Sequence, residues 1–490
     1  MMTRPAVLAF AAALGAAVAA AATAGAQSTD WRQIPRPPLK TFTPQQPQRI
    51  VLPNGMVVLL QEDHELPLVS GSARIRGGSR DEPGEKAGLA AIYGEVWRTG
   101  GTKTRTGDEL DDFLEARAAT VETDGGLDST VVSFDCLKDD FDAVFAVFNE
   151  VLRQPMFREE KIALAKNQLN TVIARRNDEP IGIASREARR LAYGPDSPYA
   201  RNIEYATVAA VTRDDLLAWH RQYVHPNNIV VGIVGDFDGK TVEAVLRRSL
   251  AGWPKGPAAK KAEAAVVQPK PGVYFIEKGD VNQTNIRIVH EGIIRNNPDY
   301  HALEVMNEVF GGGFSARLFS NIRSKKGLAY SVGGGVGSNF DYPGLFQLSM
   351  ATKSESTAAA IDALYEEIDS LLKTPVTTEE LARAKEAILN SFIFRFDSKQ
   401  KVLNEKLLYE FYRYPLDFLE RYRPAIEKVT AADVERVARK YVHRDKVALL
   451  VVGKSADFDR PLSKFGPVQT IDITIPPRAG DAAKPGATKQ

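Results

Sequence analysis

One stretch of this chain is written twice. Val211–Gly235, VTRDDLLAWHRQYVHPNNIVVGIVG, aligns without a gap on Val429–Gly453, VTAADVERVARKYVHRDKVALLVVG, and Tyr223-Val224-His225 falls on Tyr441-Val442-His443, 218 residues later. Each copy opens on a Thr followed by acidic residues, the pattern of a helix start where a side-chain oxygen accepts from a free backbone N–H. Each continues as an amphipathic helix and closes on an apolar run, Ile229–Val234 or Val447–Val452, of strand length. A solenoid unit repeats every few tens of residues, so a repeat of this length is a duplicated domain.

The rest of the chain fits two such halves. Pro254–Gly272, rich in proline and lysine, cannot build a core and is expected to be an exposed linker between a first domain at 48–253 and a second at 273–472. In the first half, Gln48–Gln61 is expected to form a hairpin turning at Pro53-Asn54-Gly55. Strands are expected at Leu68–Arg76, Thr120–Glu122 and Ser129–Phe134, and helices at Lys86–Trp97, Gly107–Ala118, Asp139–Leu152 and Glu159–Arg176. Strands separated by returning helices give an α+β fold: two homologous domains, each a largely antiparallel sheet with helices on one face, arranged as a clamshell.

Composition excludes several functions. Lys and Arg total 63 against 62 Asp and Glu, so no net charge draws nucleic acid or an anionic membrane. Arg4, the apolar run Ala6–Ala22 and Ala24-Gly25-Ala26 form an export signal at 1–26, cleaved near Ala26 and followed by an extension over 27–47. The expected location is the periplasm, with no membrane anchor, since no later stretch has the apolar length of a span. Cys136 is the only cysteine, which excludes an intrachain disulfide. Residues 473–490, with Pro476, Gly480, Pro485 and Gly486, are expected to be a disordered tail.

Leu52–Thr106, with Gly88-Leu89-Ala90 at its centre, resembles the opening of the pitrilysin (insulinase) family of zinc peptidases, and the likeness runs through both halves to about Lys454. Active members carry H-x-x-E-H on the helix after Gly-Leu-Ala; the histidines bind zinc from one helix face and the Glu activates water. Here the first His position is Ala91, the Glu position Gly94 and the second His position Glu95. The family's third ligand, a Glu on a later helix, falls on Gln168. A methyl, a bare backbone, one carboxylate and one amide cannot make a tetrahedral site, so the chain is expected to hold no metal. The histidines, His64, His220, His225, His290, His301 and His443, do not supply a displaced one, and His301-x-x-Glu304 is followed by Val305.

The second half keeps more. The resemblance implies an Arg and a Tyr seven residues apart that reach toward the zinc, and Arg323 and Tyr330 match in FSNIRSKKGLAYS. Guanidinium and phenol are strong donors suited to a peptide carbonyl and the oxyanion it becomes. Read from spacing alone, Arg323 is a cation closing a helix that starts near Ser315, and Tyr330 an ordinary strand aromatic. Gly311-Gly312-Gly313 lacks the Gly-Lys-Ser/Thr of a phosphate loop. The segment Ala118-Ala119-Thr120-Val121-Glu122-Thr123 aligns with the family's edge strand that pairs with substrate.

The resemblance therefore implies a non-catalytic subunit of a heterodimeric zinc metallopeptidase. Such a subunit closes a peptide chamber and contributes to proteolysis only beside a homologous zinc-bearing partner. The alternative is a scaffold of the same fold with no role in proteolysis.

Overall fold

The computed structural model describes residues 45–250, 252–259 and 265–478. The expected export signal, most of the extension at 27–47 and the last part of the expected tail, from 479, lie outside the described residues. Two six-stranded sheets form the framework. The first contains β1 (Gln48–Val51), β2 (Val57–Glu62), β3 (Leu68–Arg76), β4 (Thr120–Gly125), β5 (Ser129–Leu137) and β6 (Ile229–Gly235), in the order β1-β2-β6-β3-β5-β4. The second contains β7 (Gly272–Glu277), β8 (Gln283–Glu291), β10 (Ser331–Val336), β12 (Leu345–Lys353), β13 (Ala448–Gly453) and β14 (Val468–Thr470), in the order β10-β12-β8-β13-β7-β14. Two short strands, β9 (Ile293–Ile294) and β11 (Ser338–Asn339), pair apart from both.

The duplication is visible in these orders, because 4-5-3-6-2 in the first sheet is 10-12-8-13-7 in the second. Only the sixth position differs: β1 runs antiparallel to β2, whereas β14 runs parallel to β7. The longer helices of the first half are α1 (Leu89–Thr99), α2 (Gly107–Glu115), α3 (Phe141–Arg153), α4 (Glu159–Arg175), α5 (Pro180–Tyr193), α6 (Arg213–Tyr223) and α7 (Gly239–Leu250), with a six-residue helix at Tyr205–Ala210 between α5 and α6. Those of the second are α8 (Tyr300–Phe310), α9 (Thr357–Lys373), α10 (Thr378–Phe392), α11 (Lys399–Tyr412), α12 (Phe418–Lys428) and α13 (Ala431–Tyr441). The repeated helix starts are capped alike. Thr212 accepts from Asp215 N–H at 3.3 Å and donates its own N–H to the Asp215 carboxylate at 2.8 Å; Thr430 and Asp433 do the same at 3.1 and 3.0 Å.

Every residue of β6 is buried, which requires cover on both faces. Ile229, Val231 and Ile233 face the helices of their own half, while Val230 and Val234 pack on Leu403, Leu407 and Phe411 of α11. The exchange is mutual: Ile183, Ala184 and Ala188 of α5 pack on Tyr274, Ile276, Leu450 and Val452 of the second sheet. The expected one-faced layering therefore describes only each half's own helices, and the other face of each sheet is closed by the other half.

The linker is tied at both flanks. Gly256 exchanges two hydrogen bonds with the Asn227 side chain, at 2.9 and 3.1 Å, and Val267 is buried against the second sheet. Residues 473–478, expected as part of the tail, make packing contacts: Ile473 packs with the second sheet's cluster, Ile475 packs against the first half's core and Arg478 covers the Tyr205 ring at 4.8 Å.

Candidate functional site

Gly88, at φ 103°, turns the chain into α1, and the buried Glu82 carboxylate accepts from the N–H groups of Gly88 and Ala90 at 2.9 Å each. Two donors of the first turn are thereby satisfied. Burial nevertheless raises the pKa of Glu82. On the buried side of the helix, Tyr93 and Trp97 pack with Phe157 and His220, with the Tyr93 hydroxyl 2.9 Å from His220 Nδ1. Burial pulls His220 down to about 3, so it is a neutral packing residue.

The sequence-predicted metal positions lie on α1 and on α4, which packs against it. Ala91 presents a half-buried methyl, Gly94 is buried, and Glu95 and Gln168 are exposed. This donor set does not fit zinc, which takes at least three N, O or S ligands from protein. Among the described residues, no three His, Cys, Asp or Glu side chains gather as a metal site.

Position 94 also has no room for a side chain. A Cβ on Gly94 would overlap the Gly125 nitrogen and approach the Asp124 carbonyl carbon to 2.7 Å. Strand β4 is the edge of its sheet, and Gly126 N–H bonds Ser129 O at 2.9 Å to close the β4–β5 hairpin. With that register, the N–H and C=O groups of Val121, Thr123 and Gly125 point away from β5. Helix α1 sits on this edge: Thr123 Oγ1 donates to Gly94 O at 2.5 Å and accepts from Arg98 N–H at 3.3 Å. Thr120 and Glu122 stay exposed.

Of the segment expected as an edge strand, Ala118 and Ala119 belong to the preceding turn. Ala118, at φ 47°, donates to Glu115 O at 3.1 Å, and Ala119 to Leu114 O at 3.0 Å, closing the end of α2.

In the second half, the Asn307 side chain of α8 clips the β10 edge, donating to Val336 O at 3.0 Å and accepting from Val336 N–H at 2.8 Å. The expected helix from Ser315 to Arg323 is instead a π-helical turn over Phe319–Lys325. The turn is anchored on its inner side by a hydrogen bond from Asn321 to Glu367 at 2.9 Å, and the segment before it by the Arg317–Glu380 ion pair at 2.7 Å.

Arg323 and Tyr330 come together, with the guanidinium carbon 5.9 Å from the phenol ring centroid and 4.7 Å from that of Phe319. Tyr330 N–H donates to Ala351 O at 2.9 Å, which pins its backbone beside β12, while the residue is 74% exposed. Lys325 and Lys326 are held by Asn321 and Glu366, but Arg323 meets no carboxylate among the described residues. The pair thus presents unused donors to solvent, an arrangement that can hold a carbonyl or carboxylate oxygen.

A sequence model of the insulinase family (peptidase family M16) matches residues 57–195, and one of the peptidase M16 inactive domain matches residues 210–388. The chain belongs to the insulinase family. A Helicobacter pylori relative called non-peptidase homolog YmxG is 24% identical over 81% of this chain and 91% of its own. A Streptomyces coelicolor relative named as a zinc protease, SCO5738, is 24% identical over 84% and 90%. Among solved structures, the peptidase M16 inactive domain from Pseudomonas fluorescens superposes with TM-score 0.76 and 27% identity, covering 84% of this chain and 98% of that one. The periplasmic protease PqqL from Escherichia coli shares the fold at TM-score 0.72 and 16% identity, over 84% of this chain and 46% of that one. This chain is an inactive-type insulinase homologue.

Two features escaped the sequence reading. The Gly94–Gly125 contact joins glycines on separate elements, and neither carries a local signal of the other. Phe314, directly after the glycine run, is 81% exposed and meets the Phe319 ring edge-on at 4.9 Å.

Proposed function

We propose that this chain is the non-catalytic subunit of a periplasmic two-subunit zinc metallopeptidase. It carries no zinc and lends Arg323 and Tyr330 to the site of a homologous, zinc-bearing partner. The observation that carries this reading is the exposed Arg323–Tyr330 pair, whose donors are turned outward with no acid among the described residues to neutralise them. Because α5 and α11 lock the two halves together, the chamber lies between this chain and the partner, not between its own halves. The guanidinium and phenol N–H and O–H groups donate to the carbonyl oxygen of a bound peptide, and these bonds strengthen as that oxygen gains negative charge. The periplasmic location is supported by the sequence at 1–26, which reads as an export signal.

Co-purification from the native periplasm, with zinc analysis of the complex, identifies the partner. In the reconstituted pair, Arg323→Ala and Tyr330→Phe should each lower kcat by on the order of a hundredfold while the dimer persists. Wild-type turnover in both variants would leave a scaffold.

A further inference from the structure

Phe314, Phe319, Arg323 and Tyr330 form one continuous row. Phe314 stands edge-on to Phe319 at 4.9 Å, Phe319 lies 4.7 Å beneath the Arg323 guanidinium, and Arg323 is 5.9 Å from the Tyr330 ring. We propose that the Phe314 end of this row is a specificity subsite that receives a large apolar side chain of the peptide, adjoining the bond whose carbonyl Arg323 and Tyr330 hold. This rests on the partner-subunit reading of the Arg–Tyr pair.

Phe314 is not a core residue facing outward on a loose loop. The residues after it are fastened, with Ala316, Leu318 and Ile322 buried and Arg317 paired with Glu380 at 2.7 Å. Before it, Gly311 lies against the β10 backbone, where a Cβ would reach Gly334 N at 2.9 Å, and one on Gly312 would reach the Glu308 Cα at 2.8 Å. The ring is therefore held out into solvent by backbone fixed on both sides. What covers it must offer an apolar group to Phe314 and, next along the row, an acceptor to a cation that meets no carboxylate among the described residues. An extended peptide alternates these features, with side chain and carbonyl one residue apart. Arg and aromatic rings are also the side chains that carry much of the energy of recognition sites.

The test uses the assembled pair of this chain and its zinc-bearing partner, with fluorogenic peptides carrying Phe, Leu or Ala at each of the two residues flanking the cleaved bond. At one flanking position, wild type should prefer Phe and Leu over Ala by about tenfold or more in kcat/KM. Phe314→Ala and Phe314→Ser should collapse that ratio to within about twofold, while Phe314→Leu keeps most of it. An unchanged ratio in Phe314→Ala, an equal loss on all peptides, or a loss of assembly would overturn the subsite. Arg323→Ala and Tyr330→Phe in the same assay separate the two failures. If they cut turnover while Phe314→Ala leaves the ratio intact, only the subsite falls; if they do nothing, or no pair assembles, the partner reading falls and the subsite with it.

Discussion

Gly94 of α1 and Gly125 of β4 meet backbone to backbone. A Cβ on Gly94 would overlap the Gly125 nitrogen, and a Cβ on Gly125 would overlap the Ala90 carbonyl oxygen. The family resemblance in the sequence sets position 94 against the water-activating glutamate of H-x-x-E-H. Helix α1 therefore lies directly against edge strand β4, and position 94 has no room for a side chain.

Grafting the family residues back should fail. The variant Ala91→His, Gly94→Glu, Glu95→His, Gln168→Glu restores the ligand types, but a side chain at 94 must push β4 from α1 and break the Thr123–Gly94 hydrogen bond. Overpacking of this kind costs about 1–3 kcal/mol. Metal analysis should find well under one zinc per chain, and denaturant melts should show the loss. One tightly bound zinc at undiminished stability would show that the backbone yields readily.

The first sheet's strands were legible because alternation and the Pro53-Asn54-Gly55 turn are local signals, and Leu68–Arg76 is recovered to the residue. The duplication was legible from Tyr223-Val224-His225 and its copy, down to the matched Thr212 and Thr430 caps. The helix exchange was not, because nothing in Leu403, Leu407 or Phe411 says which sheet they will meet. The uninterrupted burial of β6 and β13 was its one trace, since a strand apolar at every position needs two covered faces. Arg323 and Tyr330 were singled out by the family resemblance, since spacing alone reads them as ordinary helix and strand residues; the structure brings them side by side. Phe314 was passed over because an aromatic after glycines carries no period.

Acid should destabilise the protein in two stages. Burial holds folded His220 at about 3 and His290 at about 4, against an ordinary 6.5. Between pH 6.5 and 4 the unfolded chain binds more protons than the folded one, so stability is full above 6.5 and falls as pH falls. Glu380, held at about 2 by the Arg317 guanidinium, adds a second loss as pH drops from its ordinary 4.5 toward 2. Urea melts at pH 7.5, 6 and 5 measure the first stage. His220→Gln should flatten that slope by about one proton; an unchanged slope would mean that the ring titrates normally.

Cutting the chain between its halves should not separate them. Trypsin cleavage at Lys260 or Lys261 leaves α5 beneath the second sheet and α11 beneath the first. The nicked protein should elute as one particle and unfold in one transition. Expressed alone, residues 45–259 lack Leu403, Leu407 and Phe411 over Leu59, Val230 and Val234, and residues 265–478 lack Ile183 and the alanines of α5. Each large apolar side chain left uncovered forfeits about 1.5–3 kcal/mol. Several together match a net stability of about 5–15 kcal/mol. The separate fragments should show little tertiary signal by near-UV circular dichroism and regain it when mixed. Two fragments that fold alone, with no gain on mixing, would show that the exchanged helices add cover but do not hold either half together.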